Sequence, residues 1–87
     1  MRMYDYIITD PSGLHARPSA IIAKCCSDCN SLVQIECQDK IIDGSDILAI
    51  MGLYAKKGDL LSFYVTGEDE DRTIEKIKTE LKRMESM

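Results

Sequence analysis

Residues 60–71, LLSFYVTGEDED, contain the change of pattern that decides the fold. Leu61, Phe63 and Val65 alternate with their neighbours, which predicts a strand over residues 60–66 with one buried face. Gly67 ends this strand, and the four acidic residues that follow favour the N-terminal end of a helix. Lys82 and Arg83 favour the C-terminal end of that helix. An apolar stripe at helical spacing predicts its buried face, formed by Ile74, Ile77, Leu81 and Met84.

The remaining chain also alternates between strand patterns and helix patterns. Strands are predicted over residues 4–9, 32–37 and 40–43, with Gln38-Asp39 as a tight turn between the last two. A helix is predicted over residues 16–27 and a short one over residues 47–51, preceded by the breaking and capping segment 44–46. The order strand, helix, two strands, short helix, strand, helix predicts an α+β domain with its helices on one face of a mostly antiparallel sheet. The first helix has an inward stripe of Pro18, Ile22, Cys26 and Cys29, which Ser19 and Ala23 flank. The first strand places Tyr4, Tyr6 and Ile8 on one face.

Length and composition restrict the class of protein. The 87 residues are 45% apolar and 30% charged, which predicts one soluble globular domain over residues 1–87. A net charge of −4 argues against a nucleic-acid partner. No stretch approaches the roughly 20 apolar residues that insert into a membrane. The first residues lack the apolar segment of a signal peptide, so we expect a cytoplasmic protein.

Residues 11–18, PSGLHARP, hold the only histidine of the chain. The predicted helix that follows tolerates Pro18 in its first turn and places His15 at its positive end, which favours a bound anion and a neutral imidazole. Arg17 adds a planar guanidinium that suits phosphate oxygens. Together these features indicate a site where a histidine nitrogen accepts a phosphoryl group. The competing interpretation is a structural histidine at a loop–helix junction.

The four cysteines support a second hypothesis, a metal or redox module. Cys26 and Cys29 have a suitable spacing, and Cys25 adds a third thiol. However, the pair lies at the end of a predicted helix, where the dipole disfavours a thiolate. Cys37 stands apart, and His15 supplies no second pair of ligands. We therefore expect free, partly buried thiols and no metal site.

The motif Gly13-Leu14-His15-Ala16-Arg17-Pro18, the segment 44–58 and the acidic start of the last helix together resemble the HPr family. Members are histidine-containing phosphocarriers of the bacterial phosphoenolpyruvate-dependent sugar phosphotransferase system. The resemblance covers essentially the whole chain. It implies an open-faced β-sandwich, in which three helices cover one side of a four-stranded antiparallel sheet.

The resemblance also implies a function and its residues. Phosphorylated enzyme I would transfer a phosphoryl group to Nδ1 of His15, and the chain would pass it to an enzyme IIA as a stoichiometric carrier, without a cofactor and not as an enzyme. Arg17 would steady the phosphoryl group, and the backbone NH groups of Ala16 and Arg17 would face it. A regulatory interaction module that docks partners without cycling phosphate is the rival function, and the presence of both His15 and Arg17 argues against it.

Docking is expected on the short helix. The apolar docking surface of the family matches Ile47, Leu48 and Met51, although the same residues would also suit a core. The expected partners are enzyme I and enzyme IIA domains, with transcriptional regulators as a further class, and the protein is expected to be a monomer.

Two positions depart from the family pattern. Many Gram-positive members carry a regulatory phosphorylated serine at the start of the short helix, where this chain has Asp46 preceded by Ser45. Asp46 would carry part of a phosphoserine's charge, or Ser45 or Asp46 would cap the helix. Tyr54 stands where glycine is common, and its ring is expected to alter partner fit or to shield His15.

Overall fold

The computed structural model describes residues 1–85. Within this range the chain forms four strands and three helices in the predicted order. Their bounds are β1 Arg2–Ile7, α1 Ala16–Ser27, β2 Ser31–Cys37, β3 Lys40–Asp43, α2 Ile47–Met51, β4 Leu60–Gly67 and α3 Glu70–Glu85.

The four strands form one antiparallel sheet in the order β1-β4-β2-β3. The central strand β4 pairs Phe63 with Tyr4 on one side and with Ile35 on the other. The predicted alternation in β4 is correct, because Leu61, Phe63 and Val65 are all fully buried. The sheet is covered by three helices on this face, which confirms the α+β open-faced sandwich.

The helices complete one hydrophobic core with the inner face of the sheet. α1 packs against α2 and α3, and α3 also contacts β1 and β4. The stripe predicted for α3 buries Ile74, Ile77 and Leu81, while Met84 is half-buried. The buried face of α1 includes the flanking Ser19 and Ala23 and also Cys25, while Cys29 of the predicted stripe lies beyond the end of the helix and is half-buried.

β2 begins one residue earlier and β4 ends one residue later than predicted, and the larger differences are in β1 and α3. β1 begins at Arg2 and ends at Ile7, whereas the residue pattern placed it at residues 4–9. The cause is the pairing register, which matches Arg2 with Val65 and Ile7 with Leu60, the first residue of β4. α3 begins at Glu70, so the first half of the acidic run precedes the helix.

The turn between β2 and β3 confirms the predicted tight connection. Gln38 and Asp39 have φ values of 50° and 68°, the pair of positive angles that a two-residue hairpin turn of type I′ requires. Within residues 1–85, no helix combines the length and apolarity needed to cross a membrane.

Candidate functional site

The loop before α1 is shaped by hydrogen bonds that Asp10 accepts. The backbone NH of Ser12 donates to Oδ1 of Asp10 at 2.8 Å, and the NH of Gly13 donates to its carbonyl oxygen at 2.9 Å. Gly13 then turns the chain with a φ of 66°. A Cβ atom at this position would lie 2.4 Å from the carbonyl oxygen of Ala55, so both the conformation and the close approach require glycine.

Leu14 attaches the loop to the core through a backbone hydrogen bond and a buried side chain. Its NH donates to the carbonyl oxygen of Ala55 at 3.0 Å, and its side chain is buried. The hydroxyl of Ser19, which is fully buried, donates to the carbonyl oxygen of Leu14 at 3.2 Å. The residue before His15 is therefore held from two sides, which fixes where the imidazole emerges.

His15 is the N-cap residue of α1, with extended backbone angles and no capping hydrogen bond from its side chain. The first intrahelical hydrogen bond runs from the NH of Ser19 to the carbonyl oxygen of His15 at 3.2 Å. The amides of Ala16 and Arg17 thus precede this bond, and the missing NH of Pro18 removes no bond from the helix. The first turn holds no acidic side chain, so its positive end is not neutralised by the helix itself.

Asp10 is a neighbour of His15 that the sequence reasoning missed. Its Oδ2 lies 3.3 Å from Nε2 of the imidazole, and both side chains are close to half exposed. The pKa of Asp10 is lowered, first by the hydrogen bond from the Ser12 NH and then by the contact with His15. The residue types at positions 10–13 are typical of a turn, and they give no sign that Asp10 approaches His15.

A cavity of about 130 Å³ opens beside the imidazole and brings the predicted site residues together. His15 and Arg17 both line it, and their roles stay predictions. Asp10 and Glu85 add carboxylates to the lining, and apolar side chains including Met84 form other parts of its wall. A small anion on His15 would thus meet one permanent cation and the positive end of a helix.

The predicted docking residues lie on α2 with different exposures. Leu48 is 76% exposed, Ile47 is 36% exposed and Met51 is half-buried, whereas Ile50 fills the core. The core interpretation of the first two is therefore wrong. Their docking role stays a prediction.

The two departures from the family pattern take distinct positions. Asp46 caps α2, because its Oδ1 accepts the NH of Ala49 at 3.1 Å. Ser45 instead donates from its NH and its hydroxyl to Oδ1 of Asp43, at 2.9 and 2.8 Å, which lowers the pKa of Asp43. Tyr54 is 80% exposed and is absent from the lining of the cavity, which argues against shielding of His15.

The four cysteines are free thiols. Cys25, Cys26 and Cys37 are buried and Cys29 is half-buried. Burial raises the pKa of each of the three buried thiols. Among residues 1–85, no group of three or more His, Cys, Asp or Glu residues is arranged to hold a metal ion. Burial of these three thiols opposes the thiolate that redox and metal chemistry needs.

The fold and the site define a class: a small α+β protein that carries a half-exposed histidine at the positive end of a helix, beside an arginine. The family model described as the phosphorylation site of the HPr component of the phosphotransferase system matches residues 4–83. The chain belongs to this HPr phosphocarrier family of the phosphotransferase system.

Individual proteins that are similar to this chain bear names of the same family. The chain is similar to the phosphocarrier protein HPr of Lysinibacillus sphaericus, with 33% identity over 97% of this chain and 96% of the relative. It is similar to that of Mycoplasma capricolum, with 35% identity over 90% of this chain and 88% of the relative. A solved histidine-containing phosphocarrier protein, studied for the divergence of Mycoplasma from Gram-positive bacteria, superimposes with a TM-score of 0.89. That structure is 32% identical, over 92% of this chain and 91% of its own.

A longer protein also contains a similar region. The multiphosphoryl transfer protein of Haemophilus influenzae is 32% identical over 83% of this chain, which corresponds to 15% of the length of that protein.

Proposed function

We propose that this protein is a stoichiometric phosphoryl carrier, which accepts a phosphoryl group on His15 from phosphorylated enzyme I and donates it to an enzyme IIA. The observation that carries the proposal is the placement of His15 and Arg17 in the lining of one cavity, at the positive end of α1. This arrangement supplies a nucleophile and fixed positive charge, which phosphoryl transfer to a histidine nitrogen requires. The protein leaves each exchange with its own state changed, so it acts as a carrier and not as an enzyme.

The roles of the neighbouring groups follow from the charge of the phosphoryl oxygens. The guanidinium of Arg17 would donate hydrogen bonds to them, and the amides of Ala16 and Arg17 would face them. The exposed side chains of Ile47 and Leu48, with Met51 beside them, would form the docking surface for both exchange partners. The proposal places the exchange in the cytoplasm, and this location and the monomeric state stay predictions.

The experiment is to incubate the protein with phosphoenolpyruvate and enzyme I and to determine its mass. We expect one acid-labile phosphoryl group per chain, because a phosphohistidine hydrolyses in acid. His15→Ala should take up none, and addition of an enzyme IIA should remove the group from the phosphorylated protein.

Two results would contradict the proposal. One is no uptake with an enzyme I that phosphorylates another HPr protein. The other is unchanged uptake by His15→Ala. Binding of enzyme I without uptake would instead favour the rival regulatory module.

A further inference from the structure

The two carboxylate oxygens of Asp10 make different contacts. Oδ1 accepts the NH of Ser12 at 2.8 Å and holds the loop in its turn. Oδ2 faces Nε2 of His15 at 3.3 Å. A carboxylate can only accept a hydrogen bond, so this contact is a hydrogen bond when the imidazole carries its proton on Nε2.

We propose that Asp10 is a positioning residue that holds the proton of the neutral His15 imidazole on Nε2, so that Nδ1 presents its lone pair to the incoming phosphoryl group. This inference rests on the proposed function for its consequence, although the tautomer itself is a property of the unphosphorylated protein. The contact with Asp10 therefore favours one of the two neutral tautomers of the imidazole.

The transfer step shows why the tautomer matters. The lone pair of Nδ1 forms the new N–P bond, while the bond between phosphorus and the carrying atom of phosphorylated enzyme I breaks and its electron pair returns to that atom. With the proton already on Nε2, no proton has to leave Nδ1, and the ring acquires a positive charge. With the other tautomer, Nδ1 would have to lose its proton first. Donation to the next acceptor reverses these changes.

The charge that develops on the ring is balanced by Asp10. The Oδ2 atom lies on the side of Nε2, away from the nitrogen that receives phosphorus, so it stabilises the ring without opposing the phosphoryl oxygens directly. Arg17 and Glu85 are the other charged residues that line the cavity. Arg17 carries a positive charge that suits the phosphoryl oxygens. Asp10 carries the carboxylate that lies within hydrogen-bonding range of the imidazole.

Asp10→Asn separates the two tasks of this side chain. Asparagine forms the same turn and retains a carbonyl oxygen for the Ser12 NH. The atom that then faces Nε2 is an NH₂ group, which can only donate. This variant should therefore keep the loop and favour the opposite tautomer, with the proton on Nδ1.

The first measurement is the ¹⁵N NMR spectrum of the His15 ring in the unphosphorylated protein, at a pH where the imidazole is neutral. We expect the wild-type ring to be protonated on Nε2, and the ring in Asp10→Asn to shift towards protonation on Nδ1. Asp10→Glu, which restores a carboxylate, should shift the ring back. The same tautomer in wild type and Asp10→Asn would overturn the proposal, and this result needs no phosphoryl donor.

The second measurement is the rate of phosphoryl uptake from phosphorylated enzyme I. We expect Asp10→Asn to be slower by about two- to fivefold, the size of effect that an exposed ionic contact supports. Asp39→Asn is the matched control, because it removes the same charge from an exposed turn whose φ of 68° suits asparagine. Equal rates for the two variants would overturn the kinetic part of the proposal. Absence of uptake by every variant and by wild type would overturn the proposed function, while the NMR result still decides the role of Asp10.

Discussion

At the scale of single residues, Tyr54 carries a backbone conformation that its side chain does not favour. Its φ of 51° lies in the left-handed region, which costs a bulky L-residue about 1–2 kcal/mol. The ring recovers little of this cost by burial, because the residue is 80% exposed. Its position is nevertheless fixed on both sides, since its NH donates to the carbonyl oxygen of Met51 and the next residue, Ala55, accepts the NH of Leu14.

Tyr54→Gly should therefore stabilise the protein. We expect the free energy of unfolding to rise by about 0.5–1 kcal/mol, because the relief of strain exceeds the entropic cost of glycine in the unfolded chain. Thermal unfolding should show a Tm higher by about 2–8 °C. Tyr54→Ala is the control, since it removes the ring and keeps the strained Cβ. Equal stabilisation by both variants would mean that the ring, and not the backbone, causes the strain.

At the scale of elements, α2 depends on its cap. The helix has five residues, and Asp46 satisfies its first donors through the NH of Ala49 to Oδ1 at 3.1 Å and the NH of Ile50 to the carbonyl oxygen at 3.0 Å. So short a helix has little stability of its own, and a lost cap is a large share of it. The surface formed by Ile47, Leu48 and Met51 is carried by this helix.

We expect Asp46→Ala to lower the free energy of unfolding by about 1 kcal/mol, because it leaves the NH of Ala49 without its acceptor. Asp46→Ser supplies a hydroxyl oxygen in the same place and should stay within a few tenths of a kcal/mol of wild type. Urea unfolding of the two variants measures the difference. If Asp46→Ser loses as much stability as Asp46→Ala, the charge of Asp46 matters more than its hydrogen bond.

The periodicity of the sequence predicted some features of the helices and strands and missed others. The bounds of α1 and the alternation in β2 and β4 follow from local spacing, and the structure confirms them. β1 begins two residues earlier than predicted, because Arg2 and Met3 carry little strand signal and enter the sheet through their register with Val65 and Tyr64. Register is set by distant partners, which a local window does not contain.

Some residues of the candidate site could likewise be predicted from local sequence, and others could not. His15 and Arg17 could be singled out because their residue types and the helix start lie within a few positions of one another. The contact between Asp10 and His15 could not, since it depends on the path of the loop. That path is fixed by Gly13 against Ala55, which is distant in sequence. Contacts between segments therefore decided which additional side chain faces the imidazole.

At the scale of the whole molecule, Asp69 joins distant parts of the chain. Its carboxylate accepts the NH of Asn30 at 3.0 Å, the hydroxyl of Thr73 at 3.1 Å and the hydroxyl of Ser31. The start of β2 is thereby bound to the start of α3. These hydrogen bonds, led by that from Asn30, lower the pKa of Asp69.

Glu70 makes a second connection of this kind. Its carboxylate contacts the N-terminal ammonium of Met1 at 2.9 Å and accepts the NH of Gly67 at 3.3 Å. The ammonium contact is the larger cause that lowers the pKa of Glu70, and the hydrogen bond from Gly67 is the next. The start of α3 therefore holds two carboxylates that the folded state keeps ionised more strongly than the unfolded chain does.

This difference predicts a loss of stability in acid. A carboxyl group whose pKa is lower in the folded state contributes stability that is fully present above its unfolded pKa and is lost as the pH falls through its folded pKa. The unfolded values are about 4. We therefore expect the free energy of unfolding to decline as the pH falls below about 4, with Asp10, Asp43, Asp69 and Glu70 as contributors.

Asp69→Asn tests the largest of these connections. Asparagine cannot titrate and forms weaker hydrogen bonds with Asn30, Ser31 and Thr73, so the variant should be less stable than wild type at neutral pH. Its stability should also fall less steeply in acid, and the two curves of stability against pH should converge as the pH approaches the folded pKa of Asp69.

Asp39→Asn is the control, because the Asp39 carboxylate makes no hydrogen bond or ion pair with the residues that the structure describes. Urea unfolding over this pH range measures each curve. Parallel curves for wild type and Asp69→Asn would mean that Asp69 binds the two segments without contributing to the acid response, which the remaining three carboxylates would then have to explain.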